Sequence, residues 1–226
     1  CFVFTSSIAV YGHGQLPMTE SMVPEPEDPY GVSKYAVELD LKAAQKMFGL
    51  NYVVFRPHNV YGENQNIGDK YRNVIGIFMN QIMQNKPLTI FGDGTQTRAF
   101  SYIDDVAIPI ARSAMMKEAY NEVFNIGADR PYAVNELAEV IGENFNIKPH
   151  IKYLEARNEV LHAYSDHQKA HRIFGQEEAV PLEIGIKKMA DWAKKVGARA
   201  SSEFGNIEIT EKLPQGWEVK QKVVAK

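Results

Sequence analysis

The feature that most limits what this chain can become is the order strand, helix, strand at its start. "CFVF" (1–4) and "LNYVVFRP" (50–57) are dense in β-branched and aromatic residues and show no polar alternation. Strands of that kind are buried on both faces, as in parallel sheets covered by helices. Between them the pattern predicts a helix over 30–48, with Pro29 at its entry and Gly49 as its stop. A parallel pair needs a crossover of about this length, so the first quarter reads as a β-α-β unit of an α/β sheet.

After Pro57 the alternation loosens into the polar loop "HNVYGENQNIGD". A helix is predicted over 72–84, a strand and turn at "PLTIFGDG", and a helix running from "RAFSYIDDV" to about residue 117. "NEVFNIG" gives a strand, "AVNELAEVIGENF" a helix and "HIKYL" a strand. Two helices over 166–174 and 182–196 and a polar tail complete the pattern. The chain opens on an apolar run without Met, which reads as a strand entered from the middle of a longer fold.

Composition removes several function classes. Lys and Arg number 25 against 28 Asp and Glu, a net charge of -3, which gives no support to a nucleic-acid surface. No apolar run approaches the roughly 20 residues of a membrane helix, and no signal-peptide pattern is present. The single cysteine, Cys1, excludes an internal disulfide framework and fits a reducing, cytoplasmic setting.

Chemistry enters with "PYGVSKYAVE" (29–38). Tyr30 and Lys34 are four apart and share a helical face, a phenol beside an ammonium. About one Tyr-x-x-x-Lys is expected by chance in a chain of this size, so the pair needs context. The hydroxyl cluster Thr5, Ser6, Ser7 lies where the first strand ends, and ligands of open parallel sheets bind at such strand ends. Serines capping a strand end would explain the same residues.

With "FTSSIAVYG", "PYGVSKYAVE", "FRPHNVYGENQN", "FGDGTQTRAFSYIDDVA", "VFNIG" and "EVLHAYSDHQKA" in this order, the chain resembles the extended short-chain dehydrogenase/reductase family, in its NAD-dependent nucleotide-sugar epimerase and dehydratase branch. The resemblance covers essentially the whole chain. It implies the C-terminal part of a Rossmann-type parallel sheet with a smaller α+β substrate-binding lobe. Residues 1–62 would be the remainder of a dinucleotide-binding domain and 63–200 mainly the substrate lobe, with returns to the sheet; 201–226 would be a tail.

In such enzymes the carbon bearing a sugar hydroxyl gives its hydride to a nicotinamide ring while a base takes the hydroxyl proton. The resemblance makes Tyr30 that base; Lys34 and the cationic nicotinamide would favour its phenolate. Ser7 would bond the same hydroxyl in a short proton relay. Thr5, Ser6, Tyr30, Lys34, Pro57 and His58 would border the cofactor. Ser7, Asn59, Leu88, Ile90, Arg98, Arg157 and Glu159 would contact the substrate, Arg98 and Arg157 through its phosphates. The local "EARNEV" is one residue shorter than the family's common form around that second arginine. Core packing explains Leu88 and Ile90 equally well, and a solvated turn explains Arg98. His58 is an alternative base, although Tyr30 and Lys34 already supply acid-base function. His167 and His171 beside Asp166 raise a metal site, but no His-Glu-x-x-His pattern accompanies them, and none is expected.

Ile8 and Ala9 stand where the family's 4,6-dehydratases carry Asp-Glu. An oxidise, rotate and reduce cycle needs no such acid, so the expected reaction is epimerisation at C4 of a UDP-sugar through a transient 4-keto sugar. A 4-ketosugar reductase using NADPH and a non-catalytic nucleotide-binding member are the alternatives. Gly12 with Gly14, and Gly92 with Gly94, lack the third glycine and following helix of a dinucleotide turn. The main NAD motif is therefore expected to lie outside this chain, which alone would be inactive. Ala36, Leu39, Ala43 and Met47 would form a homodimer face of the intact protein or else pack inside it.

Overall fold

Strand β1 (Phe2–Thr5) lies parallel to β2 (Tyr52–Pro57), and the 20-residue helix α1 (Pro29–Phe48) connects them, as the apolar runs require. The computed structural model describes residues 1–156, 160–175 and 178–201. Helix α1 starts where Asp28 accepts the Gly31 N–H at 2.6 Å and ends where Gly49, at φ 70°, enters the left-handed region. "SIAVYG" contains a single 3-10 turn, Ile8–Tyr11, capped by Ser7.

The following elements are β3 (Val60–Tyr61), α2 (Val74–Met83), β4 (Leu88–Phe91), β5 (Thr97–Ala99), β6 (Ser101–Tyr102) and α3 (Ile103–Ser113). Then come β7 (Glu122–Ile126), β8 (Pro131–Ala133), α4 (Val134–Asn144) and β9 (Ile151–Leu154). Last are β10 (His162–Ala163), α5 (Gln168–Phe174) and α6 (Leu182–Val196). The helix expected to reach residue 117 stops at Ser113, and Lys117–Ala119 form a separate 3-10 turn.

The main sheet has the order β1-β2-β7, all parallel, with Phe4 opposite Val54 and Phe55 opposite Phe124. Central strand β2 shows why its sequence is continuously apolar. Tyr52 and Val54 pack with Leu41 of α1 on one face; Val53 and Phe55 pack with Phe124, Val106 of α3 and Phe174 of α5 on the other. Each fully buried side chain of this kind contributes about 1.5–3 kcal/mol. β1 departs from the expected two-sided burial: Phe2 is 49 % exposed, because among the described residues β1 has a strand on one side only.

A second core gathers Phe78 and Met79 of α2, Leu137 and Ile141 of α4, and Ile186 and Met189 of α6 beneath β4. β4 pairs parallel with β9, and β5 lies between β10 and β8. β7, α3 and α5, late in the chain, return to the main sheet. Along α1, Ala36, Leu39, Ala43 and Met47 are all exposed, so this apolar face is not absorbed by the described chain. No helix among the described residues is long and apolar enough to cross a membrane.

Candidate active site

β1 and β2 run in register, with Thr5 opposite Phe55 and β2 continuing to Pro57, so the segments that follow them emerge at the same carboxyl edge of the sheet. There they form one wall of a cleft of ≈ 620 Å³. Thr5, Ser6, Ser7, Tyr30, Lys34, Pro57, His58, Asn59 and Arg98 all line it, although they come from positions far apart in the sequence. The opening edge of a parallel sheet is where backbone groups and strand-end side chains are free to meet a ligand.

The Lys34 ammonium donates to the Thr5 carbonyl at 2.9 Å and lies 5.7 Å from the centre of the Tyr30 ring. That bond ties α1 to the end of β1 and holds the cation beside the phenol. Tyr30 is 54 % exposed, and no described residue bonds its hydroxyl. Ser7 accepts the Ala9 N–H at 3.2 Å, which leaves its own hydroxyl hydrogen to be given elsewhere.

Gly31 sets the approach of these groups. A Cβ there would lie 2.6 Å from the Ala9 carbonyl, so only glycine lets the first turn of α1 close on the Ser7 turn. Gly31→Ala is expected to destabilise the fold by about 1–3 kcal/mol, by overpacking against backbone. Urea unfolding checks this; an unchanged midpoint would mean that the two turns move apart freely.

Ser6 borders the cleft but is buried, and its hydroxyl donates to Glu38 at 2.5 Å. Glu38 also accepts from Arg56 Nε at 3.0 Å and Nη2 at 2.5 Å. The Arg56 guanidinium lies 4.7 Å from the centre of the Tyr11 ring, and the Tyr11 hydroxyl donates to Asn125 at 2.7 Å. Burial works against the Arg56 charge, but the Glu38 bonds outweigh it and hold Arg56 firmly protonated.

Asn59 has φ 40° and donates to the Ala99 carbonyl at 3.2 Å, which fixes the turn into the cleft. The His58 ring is buried, with Nδ1 on that same carbonyl at 2.9 Å and Nε2 on His167 at 3.0 Å. Both nitrogens are occupied, so the ring does not present a free base to the cleft. His167 faces His58 and Asp129 rather than Asp166, and no group of three metal-ligating residues occurs among the described residues.

A second cavity of ≈ 220 Å³ adjoins the cleft. It shares Asn59, Val60, Asn73 and Arg98 with the cleft and is lined further by Thr89, Ile90 and Phe91. Leu88 and Ile90 are both buried in the second core; Ile90 also borders this cavity, whereas Leu88 lines neither space. Arg98 donates to the carbonyls of Thr97, Val160 and Leu161, which draws the 160–161 segment over the cleft. Arg157 and Glu159 lie outside the described residues. Asn73 was not singled out by sequence reasoning; its signal is its left-handed backbone, φ 66°, just before α2, where it borders both cavities.

A fixed ammonium, a phenol that no described residue bonds and the backbone of 5–7 and 57–58 converge on the cleft. Gly12 follows a 3-10 turn and does not start a helix, so these residues do not form a pyrophosphate turn.

Comparison with known proteins bears on this geometry. Residues 1–127 match the family model described as "NAD dependent epimerase/dehydratase family". A putative UDP-glucose 4-epimerase of Methanocaldococcus jannaschii is 37% identical over 195 residues, 85% of this chain and 62% of that protein. A UDP-glucuronate 4-epimerase of Thermodesulfobacterium geofontis is 30% identical, over 85% of this chain and 59% of its own length. The chain thus spans about three fifths of these relatives. Among solved structures, a UDP-glucose 4-epimerase of Thermotoga maritima with UDP-glucose superposes with a TM-score of 0.80 at 34% identity, covering 86% of this chain and 63% of that one. A UDP-glucuronic acid 4-epimerase of Bacillus cereus, with UDP-glucuronic acid and NAD, gives 0.78 at 30% identity, covering 86% and 62%.

Proposed function

Since this chain belongs to the NAD-dependent epimerase/dehydratase family, we propose that it supplies the acid-base and substrate-binding part of a nucleotide-sugar 4-epimerase. The observation that carries this reading is the convergence of Ser7, Tyr30 and Lys34 on a cleft continuous with the Asn73, Ile90 and Arg98 cavity. A sugar in the cleft and a nucleotide in the adjoining cavity would place a diphosphate between them, beside Asn73 and Arg98.

Tyr30 takes the proton of the C4 hydroxyl, and Ser7 orients that hydroxyl with the hydrogen it has free. Lys34, fixed to the Thr5 carbonyl, stabilises the phenolate electrostatically. NAD, when bound against Lys34, Pro57 and the 5–7 backbone, supplies the hydride acceptor and donor. Ile8 and Ala9 offer no further acid, which fits a cycle that returns hydride to the same carbon and loses no water. The two functional domains, 1–62 and most of 63–200, then divide the work between cofactor and substrate. The exposed Leu39 and Met47 face of α1 suits a homodimer of the whole protein.

Calorimetry with UDP tests the reading on this chain directly. Arg98→Leu is expected to weaken UDP by about 10–100-fold, the scale of a lost charged hydrogen bond in a shielded site. UDP affinity that ignores Arg98, in a variant with an unaltered circular dichroism spectrum, would contradict the diphosphate position assigned here.

A further inference from the structure

Behind Asn59 a line of polar groups runs from solvent into the cleft wall. Asp129, 63% exposed, contacts His167 Nδ1 at 2.6 Å. His167 Nε2 meets His58 Nε2 at 3.0 Å, and His58 Nδ1 ends on the Ala99 carbonyl at 2.9 Å. The two rings are 1% and 4% exposed.

Counting hydrogens along this line exposes a deficit. The Ala99 carbonyl can only accept, so His58 Nδ1 donates. The Asp129 carboxyl is held below the usual carboxylate range, first by the His167 bond and against its own partial burial, so it is ionised and His167 Nδ1 donates to it. A neutral imidazole has one N–H, already used in both rings. The Ser165 hydroxyl, 3.0 Å from His167 Nε2, can serve that ring, but His58 Nε2 then faces a ring nitrogen 3.0 Å away with no hydrogen between them. One added proton turns that contact into a hydrogen bond.

We propose that the His58–His167 pair holds one extra proton, countered by Asp129, and that this charged chain positions Arg98 and Asn59 for the substrate diphosphate. The positioning role rests on the function proposed above; the proton does not. Asn59 and His58 share the Ala99 carbonyl, and Arg98 is the residue before it. Burial, followed by the field of His167, pushes His58 down to about 4; the Asp129 carboxylate lies against His167 and not His58, so the contacts put the added proton on the His167 side. Other groups face the pair too: the Ser165 hydroxyl lies 3.0 Å from His167 Nε2, and the His171 ring of α5 lies 6.3 Å from that of His167. Nearby on α5, Lys169 is bound to Glu122, and Asp166 accepts the Gln168 N–H.

As pH rises the proton leaves. Ser165 can then donate to His167, but His58 Nε2 is left without a donor, and the rings separate. The Ala99 carbonyl moves with His58 and carries Arg98 and Asn59 off their positions.

The test pairs nitrogen NMR of histidine-labelled protein with UDP-glucose calorimetry from about pH 5.5 to 9; a diphosphate diester has no phosphate titration of its own in that window. At the acid end His167 is expected to show two protonated nitrogens and His58 one. Loss of the third proton should accompany a roughly tenfold loss of UDP-glucose affinity. Asp129→Asn, an exposed change that removes the counter-charge, should move both transitions to lower pH together. Three ring protons absent at pH 6, or a tightly bound metal between the rings by elemental analysis, would overturn the proton. A proton that leaves without altering affinity would overturn the positioning role. Absence of UDP-glucose binding at every pH would overturn the functional reading and the positioning role with it, while the nitrogen spectrum still decides the proton.

Discussion

Tyr30→Phe is expected to bind UDP-glucose within about twofold of the unaltered protein, yet turn it over about 10²–10⁴-fold more slowly, the range spanned by loss of a positioned acid-base group. The split follows from the geometry. Tyr30 is half exposed, and its hydroxyl holds no described residue in place, so removing one oxygen leaves the cleft wall intact. What disappears is the atom that takes the C4 proton. Lys34 keeps its Thr5 bond in the variant and still presents an ammonium, so a residual rate through water is expected. Turnover is measured with NAD in the whole enzyme, binding on this chain. Turnover retained within about threefold would remove Tyr30 from its role and shift attention to the Ser7 turn.

How much of this was legible beforehand depended on the distance in sequence over which each signal acts. The β-α-β unit was readable because its evidence is local. Asp28, Pro29 and Gly49 bracket α1, and an uninterrupted run such as "YVVF" announces a strand buried on both faces. Tyr30 and Lys34 were readable for the same reason, since helical spacing alone puts them together. The burial of β1 was overestimated because apolar composition cannot distinguish a central strand from one with a partner on one side. Leu88 and Ile90 looked equivalent in an alternating strand and are equally buried in the second core, and only the tertiary structure shows that Ile90 also borders a cavity.

The polar interior was not legible. Glu38 occurs on a helix face otherwise spaced for Tyr30, Lys34 and Leu41, and Arg56 interrupts an apolar strand. Each alone resembles a tolerated surface charge; their pairing closes over 18 residues and includes Ser6, 32 residues from Glu38. His58 and His167 are 109 residues apart; a base and a metal ligand were weighed for them and not favoured, and nothing local pointed to their pairing with each other. Motifs therefore located the reacting groups, while the residues that orient them came from tertiary pairing.

The largest stability effect expected in this molecule comes from that interior. Glu38→Ala leaves Arg56, 4% exposed, without its only described carboxylate, and leaves the Ser6 hydroxyl without its acceptor. Breaking one side of a buried pair costs about 3–5 kcal/mol, a large part of the roughly 5–15 kcal/mol that holds a domain folded. The charge cannot be shed instead, because guanidinium stays protonated. Urea unfolding followed by two probes measures it, and Glu38→Gln should lose less, since it retains an acceptor for Ser6 or Arg56. The double change Glu38→Met with Arg56→Met removes the need for compensation and is expected to recover most of the lost stability. A double variant as unstable as Glu38→Ala would mean that packing at these positions, rather than the stranded cation, accounts for the loss. Tyr30, Lys34 and Glu38 succeed one another at four-residue spacing on the inner face of α1. The recovered double variant therefore also asks whether the ion pair sets the rotation of that helix: turnover that stays low in a stable protein would assign Glu38 and Arg56 the orientation of Tyr30 towards Ser7, beyond their part in folding.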